Sequence, residues 1–348
     1  MADKTRRQCL RIAGMAGAAI VLSGIRPLRS LVYADVPVYK GASFLSQSYR
    51  GIKYGILGFV EQLQQKAQDV LKIEFFDSAS LLKADEQVSG LRVGTIQFMF
   101  HGTTYITDEF PILGITELPE ICEHLYRHGE RLAMESPLWK LINDELSKQD
   151  LFMLSTGGGM VEPEYIWSGK KKIGSLADLE GKRCRVVSKA ATELFKSLGS
   201  TVVRIPSEET YLALQRGSVD GVVASVNTVV ARNLHEQLRF CFQIPVTAVT
   251  VAVFFLRSIW EKMPGRVKAA FWEAGKWYDE NQAKTGYKKI TQEEDWPVIR
   301  KAGIEIVQPT EAEREVFIKK AQPAWDLWKA QVGEGVGGQA INLALGRT

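Results

Sequence analysis

Between Leu179 and Ala224 strand and helix patterns alternate so tightly that a parallel, helix-flanked sheet is the arrangement the chain points to. Gly181 opens the basic-apolar run Lys182-Arg183-Cys184-Arg185-Val186-Val187, whose β-branched end and short length suit a strand entering a buried sheet. Ser188 caps a helix that Gly199 stops. Thr201 to Ile205 reads as the next strand, and Pro206-Ser207-Glu208-Glu209 starts a second helix with its acidic residues at the positive end of the dipole. Gly217 ends that helix, and Ser218 to Ala224 returns as a third strand. In sheets built from this β-α-β-α-β order, ligands bind outside the carboxyl ends of the strands.

Arg185 is the residue to explain. A guanidinium in an apolar strand end carries a heavy desolvation cost unless an anion meets it. That anion is either the carboxylate of a ligand or an internal Asp or Glu, and the residue types leave both open. Arg183 shares the face of Arg185 by alternation but lies nearer the loop, so it is expected to be solvated.

The chain begins Thr5-Arg6-Arg7-Gln8-Cys9-Leu10-Arg11, followed by an apolar run from Ile12 to Ile25 that is too short and too weakly apolar to anchor a bilayer. With Arg26 and Arg29 after it and the small residue Ala34 at the cleavage position, residues 1–34 read as a twin-arginine export signal, cut before Asp35. The expected location is therefore the periplasm. Cys9 precedes the apolar run, which does not fit a lipoprotein signal. Export also changes the charge argument. The whole chain carries 44 Lys and Arg against 40 Asp and Glu, but the part after the cut carries 38 against 39. The basic excess belongs to the signal, and a nucleic-acid partner has no electrostatic support. Cys122, Cys184 and Cys241 remain, an odd number without metal spacing or a disulfide framework, and the last two read as small core residues.

Along the rest of the chain, Val36 to Tyr39 reads as a first strand and Gly41-Ala42-Ser43-Phe44 as the loop before a long helix. Val70 to Phe76 alternates as a second strand, and a helix to Val93 leads through Gly94 into the strand Thr95 to Phe100, ending at His101-Gly102. The passage Leu91 to Gln97 echoes Leu214 to Asp220, which fits two similar α/β lobes. Leu151 to Ser155 reads as a strand and Gly157-Gly158-Gly159 as a crossing between lobes, where the glycines serve either as an anion nest or as backbone freedom. Gln243 to Arg257 is too long for one ordinary strand and is expected to cross back. A long helix from Pro264 to Trp296, a late strand from Lys301 to Val307 and a helix from Thr310 through Trp328 follow, and the Gly-rich tail from Gly333 is expected to be loose.

Taken together, several passages resemble the extracytoplasmic solute-binding proteins of TRAP transporters, of the DctP type. These are Leu81-Leu82-Lys83-Ala84-Asp85-Glu86-Gln87 through Gly94, Phe110-Pro111 with Leu118-Pro119, and Leu176 through Gly181 to Arg185-Val186. They continue with Glu209-Thr210-Tyr211-Leu212-Ala213-Leu214-Gln215, Gly217-Ser218-Val219-Asp220-Gly221, Trp260 through Pro264, and Gly303-Ile304. The resemblance implies an α/β, two-lobed periplasmic binding protein of type II-like fold. Each lobe would be a mixed, mostly parallel sheet flanked by helices, with a long helix spanning both. Residues 35–160 and 247–290 would form lobe I, 161–246 and 291–330 lobe II, and 331–348 a flexible tail. It further implies a monomer without cofactor that closes on an organic acid and delivers it to the small and large membrane subunits of a TRAP permease.

Arg185 matches the arginine with which that family holds a substrate carboxylate. The chain departs from the family elsewhere: Gly158-Gly159-Met160 stands where many members have an arginine, Ala224-Ser225 where many have Asn-Pro, and Ser207 where an aromatic is frequent. A second anionic group would lack its usual arginine, so a monocarboxylate with an apolar body is expected. Phe44, Tyr105 and Trp167 lie near strand ends for that body, and Ser78, His101, Ser207, Tyr211, Ala224 and Asn227 complete the candidate contacts. A secreted enzyme or a ligand-sensing module on the same fold is the alternative. No Gly-x-Ser-x-Gly elbow, His-Glu-x-x-His or phosphate loop supports an enzyme. His124 and His128, four apart, lack an evident third ligand, so no metal site is expected.

Overall fold

A computed structural model describes residues 36–347, so the export signal expected over residues 1–34 lies outside the described residues. Five strands form the first sheet: β1 (Val38–Ser43), β2 (Lys72–Phe76), β3 (Phe98–Gly102), β4 (Leu151–Ser155) and β10 (Val251–Leu256). Six form the second: β5 (Glu164–Ser168), β6 (Arg183–Arg185), β7 (Thr201–Val203), β8 (Gly221–Ala224), β9 (Phe240–Thr247) and β11 (Glu305–Val307). Their orders are β2-β1-β3-β10-β4 and β11-β9-β5-β8-β6-β7. In each sheet the strands contributed by a β-α-β unit run parallel, whereas those next to a crossing, β10 and β5, run antiparallel to their neighbours. The fold is thus α/β with two mixed sheets flanked by helices, each sheet over its own apolar core.

The unit between Leu179 and Ala224 folds as its local signals dictate. The Ser188 hydroxyl accepts from the Ala191 N–H at the start of the helix Lys189–Ser197, and Gly199 takes φ +78° just beyond its end. β6 lies between β7 and β8 and parallel to both, so the carboxyl end of β6 opens between its neighbours' ends.

Two local expectations are corrected. Gly41 to Ser43 belongs to β1 and not to a loop, because Gly41 pairs with Phe75 and Phe98 and the Phe98 ring occupies the space of its missing side chain, 2.1 Å from where a Cβ would stand. The tail is also ordered into a helix, Glu334–Leu345, whose Ala340, Ile341 and Ala344 are buried against the first lobe's core. The Gly- and Ala-rich composition that reads as loose supplies a thin face on which the helices Ile121–Arg127 and Pro137–Ser147 pack closely. Arg131 fastens its end, donating to the Ala344 carbonyl at 2.6 Å.

Three passages join the sheets. Residues 156–163 lead from β4 to β5, and residues 248–250 interrupt the long apolar run where β9 hands over to β10. The third is helical. An α-helix over Gly265–Asn281 widens into π-type turns over Gln282–Asp295 and returns to α over Trp296–Lys301. At the end of the wide segment the Trp296 N–H bonds the Thr291 carbonyl, five residues back.

Candidate functional site

The carboxyl ends of β1, β3, β6 and β8 converge on a cavity of about 570 Å³, counting the part open to solvent. From the first sheet's side Phe44, Tyr49, Ile52 and Tyr105 line it; from the second, Glu164, Arg185, Ser207, Ser225 and Thr228; Val161 and Val249 come from the two short crossings. This is where the strand order predicts a ligand.

Arg185 is 2 % exposed, yet it makes no ion pair at 4.0 Å or less among the described residues. Its Nε donates to the Ile205 carbonyl at 2.9 Å and its Nη1 to the Val223 carbonyl at 3.0 Å. Two backbone acceptors therefore aim the guanidinium, and Nη2 takes no protein acceptor among the described residues. Arg183 is the solvated one of the pair, engaging both carboxylate oxygens of Asp220 at 3.1 and 3.2 Å.

Glu164, the first residue of β5, lines the same cavity. Burial pushes its carboxyl up to about 7, and the positive charge of Arg185 pulls the other way. Its side chain has no hydrogen-bond partner among the described residues. Glu164 was missed from sequence although a signal existed: a carboxylate opening the apolar strand Tyr165-Ile166-Trp167 poses the same desolvation problem as Arg185.

Of the other sequence candidates, the structure brings Phe44, Tyr105 and Ser207 to the cavity with Arg185. His101 stands one layer behind, fully buried, its ring 4.9 Å from Phe44 and its nitrogens facing the Gly102 and Ala84 carbonyls, each at 2.9 Å. The remaining five lie elsewhere. Trp167 faces the second core, donating to the Ala224 carbonyl at 2.8 Å, because alternation along β5 turns it away from the face of Glu164. Ala224 is spent in that contact. Tyr211 points outward to Glu236 at 2.7 Å. Ser78 is exposed in the turn after β2, and Asn227 is bound to Thr291 and Asp295 of the wide helix at 2.9 and 2.6 Å.

The three glycines after β4 have a use of their own. The Asp279 carboxylate of the long helix accepts from the Gly158 N–H at 2.7 Å, the Ser155 hydroxyl at 2.5 Å and the Met134 N–H at 2.6 Å. An internal carboxylate thus occupies this nest. Its pKa is raised to about 6 by burial, against the pull of those donors. Glu162 of the same crossing is held by the Tyr165 hydroxyl and the Trp296 indole N–H.

Contacts also bridge the lobes around the cavity. The Arg232 Nε donates to the Tyr49 hydroxyl at 3.2 Å, Asp108 pairs with Lys189 at 3.2 Å and with Arg204 at 3.4 Å, and the Ser188 hydroxyl donates to Glu117 at 2.7 Å. Glu117 is 1 % exposed, its other oxygen has no partner among the described residues, and burial pushes it up to about 7.

The family model of bacterial extracellular solute-binding protein family 7, DctP, matches residues 50–331. A solute-binding protein of Albidiferax ferrireducens is 24 % identical, with 74 % of this chain and 75 % of that protein covered. A 2,3-diketo-L-gulonate-binding periplasmic protein of Escherichia coli is 20 % identical over 78 % of this chain and 84 % of its own length. Among solved structures, a Bordetella pertussis extracytoplasmic solute receptor binding pyroglutamic acid superposes with a TM-score of 0.76 at 17 % identity, covering 88 % of this chain and 99 % of that one. A TRAP periplasmic solute-binding protein of Shewanella oneidensis with bound succinate does so at 0.76 and 16 %, with the same coverage. With more than three quarters of its length matched by the family model, the chain belongs to the DctP family of bacterial extracellular solute-binding proteins.

Proposed function

We propose that the protein is a periplasmic receptor that captures a small organic monocarboxylate by lobe closure and delivers it to a TRAP-type permease. The observation that carries the proposal is Arg185: a buried guanidinium, aimed by two carbonyls, with N–H groups left for an anion at the cavity. A carboxylate accepts from such a fork by charge-assisted bonds stronger than neutral ones. The organic acids carried by the Bordetella and Shewanella receptors support the ligand class. Among the described residues Arg185 is the one arginine that lines the cavity, Arg232 being turned to Tyr49 and Ser207, and with a carboxylate beside it this supports one anionic group over two. Phe44, Ile52 and Val249 offer the apolar body a dry wall. The receptor acts as a monomer, without catalysis, and its short crossings at residues 156–163 and 248–250 let the lobes hinge.

Mass spectrometry of ligand retained through purification tests this reading, followed by calorimetry with the acid recovered. An organic acid present in stoichiometric amount is the expected result; turnover of that acid by the purified protein would overturn the receptor assignment. Export follows the twin-arginine route in this proposal. Replacing Arg6 and Arg7 by Lys leaves precursor in the cytoplasm, and unimpaired export of that variant removes the route.

A further inference from the structure

Glu164 and Arg185 line one cavity from neighbouring parts of the second sheet, and each is left incomplete by the protein. Arg185 has no ion pair within 4.0 Å among the described residues, and Glu164 has no hydrogen-bond partner there. Yet Arg185 is the charge that Glu164 feels most strongly. The two are near enough to interact and too far apart to pair, so a gap separates an acceptor from a donor. Ordinary structural ion pairs close this gap, because a direct bond relieves the desolvation of both groups. Here β8 and the segment after β7 prevent closure: the Val223 and Ile205 carbonyls hold Nη1 and Nε, and the backbone of β5 fixes Glu164 against Thr247 of β9.

From this juxtaposition we infer that Glu164 determines specificity, and that the ligand is a zwitterion: a monocarboxylate bearing a protonated nitrogen, its carboxylate on Arg185 and its nitrogen on Glu164. The inference rests on the receptor reading above and narrows its substrate class. A nitrogen cation inserted beside Glu164 supplies the missing donor and compensates its charge, whereas the second carboxylate of a dicarboxylate would meet like charge at the same place. Among the described residues that line the cavity, none other than Glu164 carries a negative charge. Tyr49 is already engaged by Arg232, and Ser207 accepts from the same arginine at 3.3 Å. Phe44, Ile52 and Val251 supply apolar surface for a short aliphatic body.

Calorimetry with matched pairs tests the inference: leucine against 4-methylpentanoate and 5-aminopentanoate against pentanoate, with succinate as the dicarboxylate. Within each pair only the nitrogen differs, and the two pairs place it beside the carboxylate or at the far end of the chain. The expected result is that at least one zwitterion binds about 10- to 100-fold tighter than its nitrogen-free partner, the worth of a hydrogen bond to a charged group. Glu164→Gln should abolish that ratio while raising the affinity for succinate; with no protein hydrogen bond to lose, the variant should melt near the wild type. The ratio in the wild-type protein stands whether or not the variant folds. If 4-methylpentanoate, pentanoate or succinate binds and neither zwitterion gains over its partner, the inference fails while the receptor reading survives. If none of these five probes nor the retained acid binds, both fall. A ratio unchanged by Glu164→Gln in a folded variant also overturns it.

Discussion

Replacing Arg185 by Met separates two roles that the structure gives one side chain. The guanidinium holds the Ile205 and Val223 carbonyls at 2.9 and 3.0 Å. Met removes both donors. Each buried carbonyl left unpaired costs about 1 to 3 kcal/mol, and relief of a buried guanidinium's desolvation offsets part of that. A net destabilisation of about 1 to 3 kcal/mol is expected, read as a lower melting temperature without ligand. The second loss appears only on binding. A carboxylate brought into the cavity would meet no guanidinium, which by analogy with truncated buried ion pairs costs about 2 to 5 kcal/mol. That is a factor of roughly 30 to several thousand in affinity. Arg185→Lys keeps the charge but cannot span two carbonyls and a ligand at once, so it should fall between. Calorimetry with the retained acid measures the second loss, and thermal melting of the free protein measures the first alone. If Arg185→Met melts lower yet binds within about threefold of the wild type, a difference under 1 kcal/mol, Arg185 is a strand clamp and the carboxylate assignment is refuted.

Three further perturbations follow from the described geometry. Gly158→Ala forces a side chain into φ +62° with its Cβ 2.4 Å from the Asp279 carbonyl; urea unfolding should show a loss of at least about 1 to 2 kcal/mol, and an unchanged midpoint would dissolve the nest argument. Ending the chain after Gly333 removes the helix Glu334–Leu345 and uncovers apolar core, so the melting temperature should drop, whereas an unaltered one would restore the loose tail. Glu117, pushed up to about 7 by burial, binds its proton more tightly folded than unfolded; its contribution is present at low pH and lost as pH rises through 7. Stability from this group should therefore decline between about pH 4.5 and 7 and level off above, with His101, whose pKa burial lowers from 6.5, opposing the decline below 6.5. Glu164 and Asp279, also raised by burial, add to the same decline, so Glu117→Gln should make the slope shallower without abolishing it, and an equal slope in the variant would clear Glu117 of any share.

What could be read from sequence was what short-range chemistry decides. Ser188 and Gly199 mark a helix by their own side chain and backbone, and Thr310 with Glu313 forms a reciprocal cap, so these boundaries needed no tertiary information. Arg185 was legible because burying a charge is costly wherever the strand goes. The same reasoning, left unapplied to Glu164, would have found the second charge of the cavity. Trp167 misled because the strand Glu164–Ser168 was not read, so its facing could not be: three residues from Glu164, it points to the other side of the sheet. The tail misled for the opposite reason. A 12-residue helix with Gly at 335, 337 and 338 has little stability of its own and owes its order to the surface beneath it, which no local pattern announces.

The wide turns between Gln282 and Asp295 make the molecule intolerant of length changes there. A segment bonded five residues back carries more residues per turn than an α-helix, so it sets the rotational phase of everything after it. Trp296 reaches Glu162 at 3.0 Å and Asp295 reaches Asn227 at 2.6 Å only in that phase. Deleting one residue would turn the following helix by about 100°, a full side-chain step, and swing both off their partners. Substitutions on the exposed side of this segment should pass unnoticed, whereas single-residue deletions and insertions should be eliminated, so related chains should vary here in composition and keep a constant count.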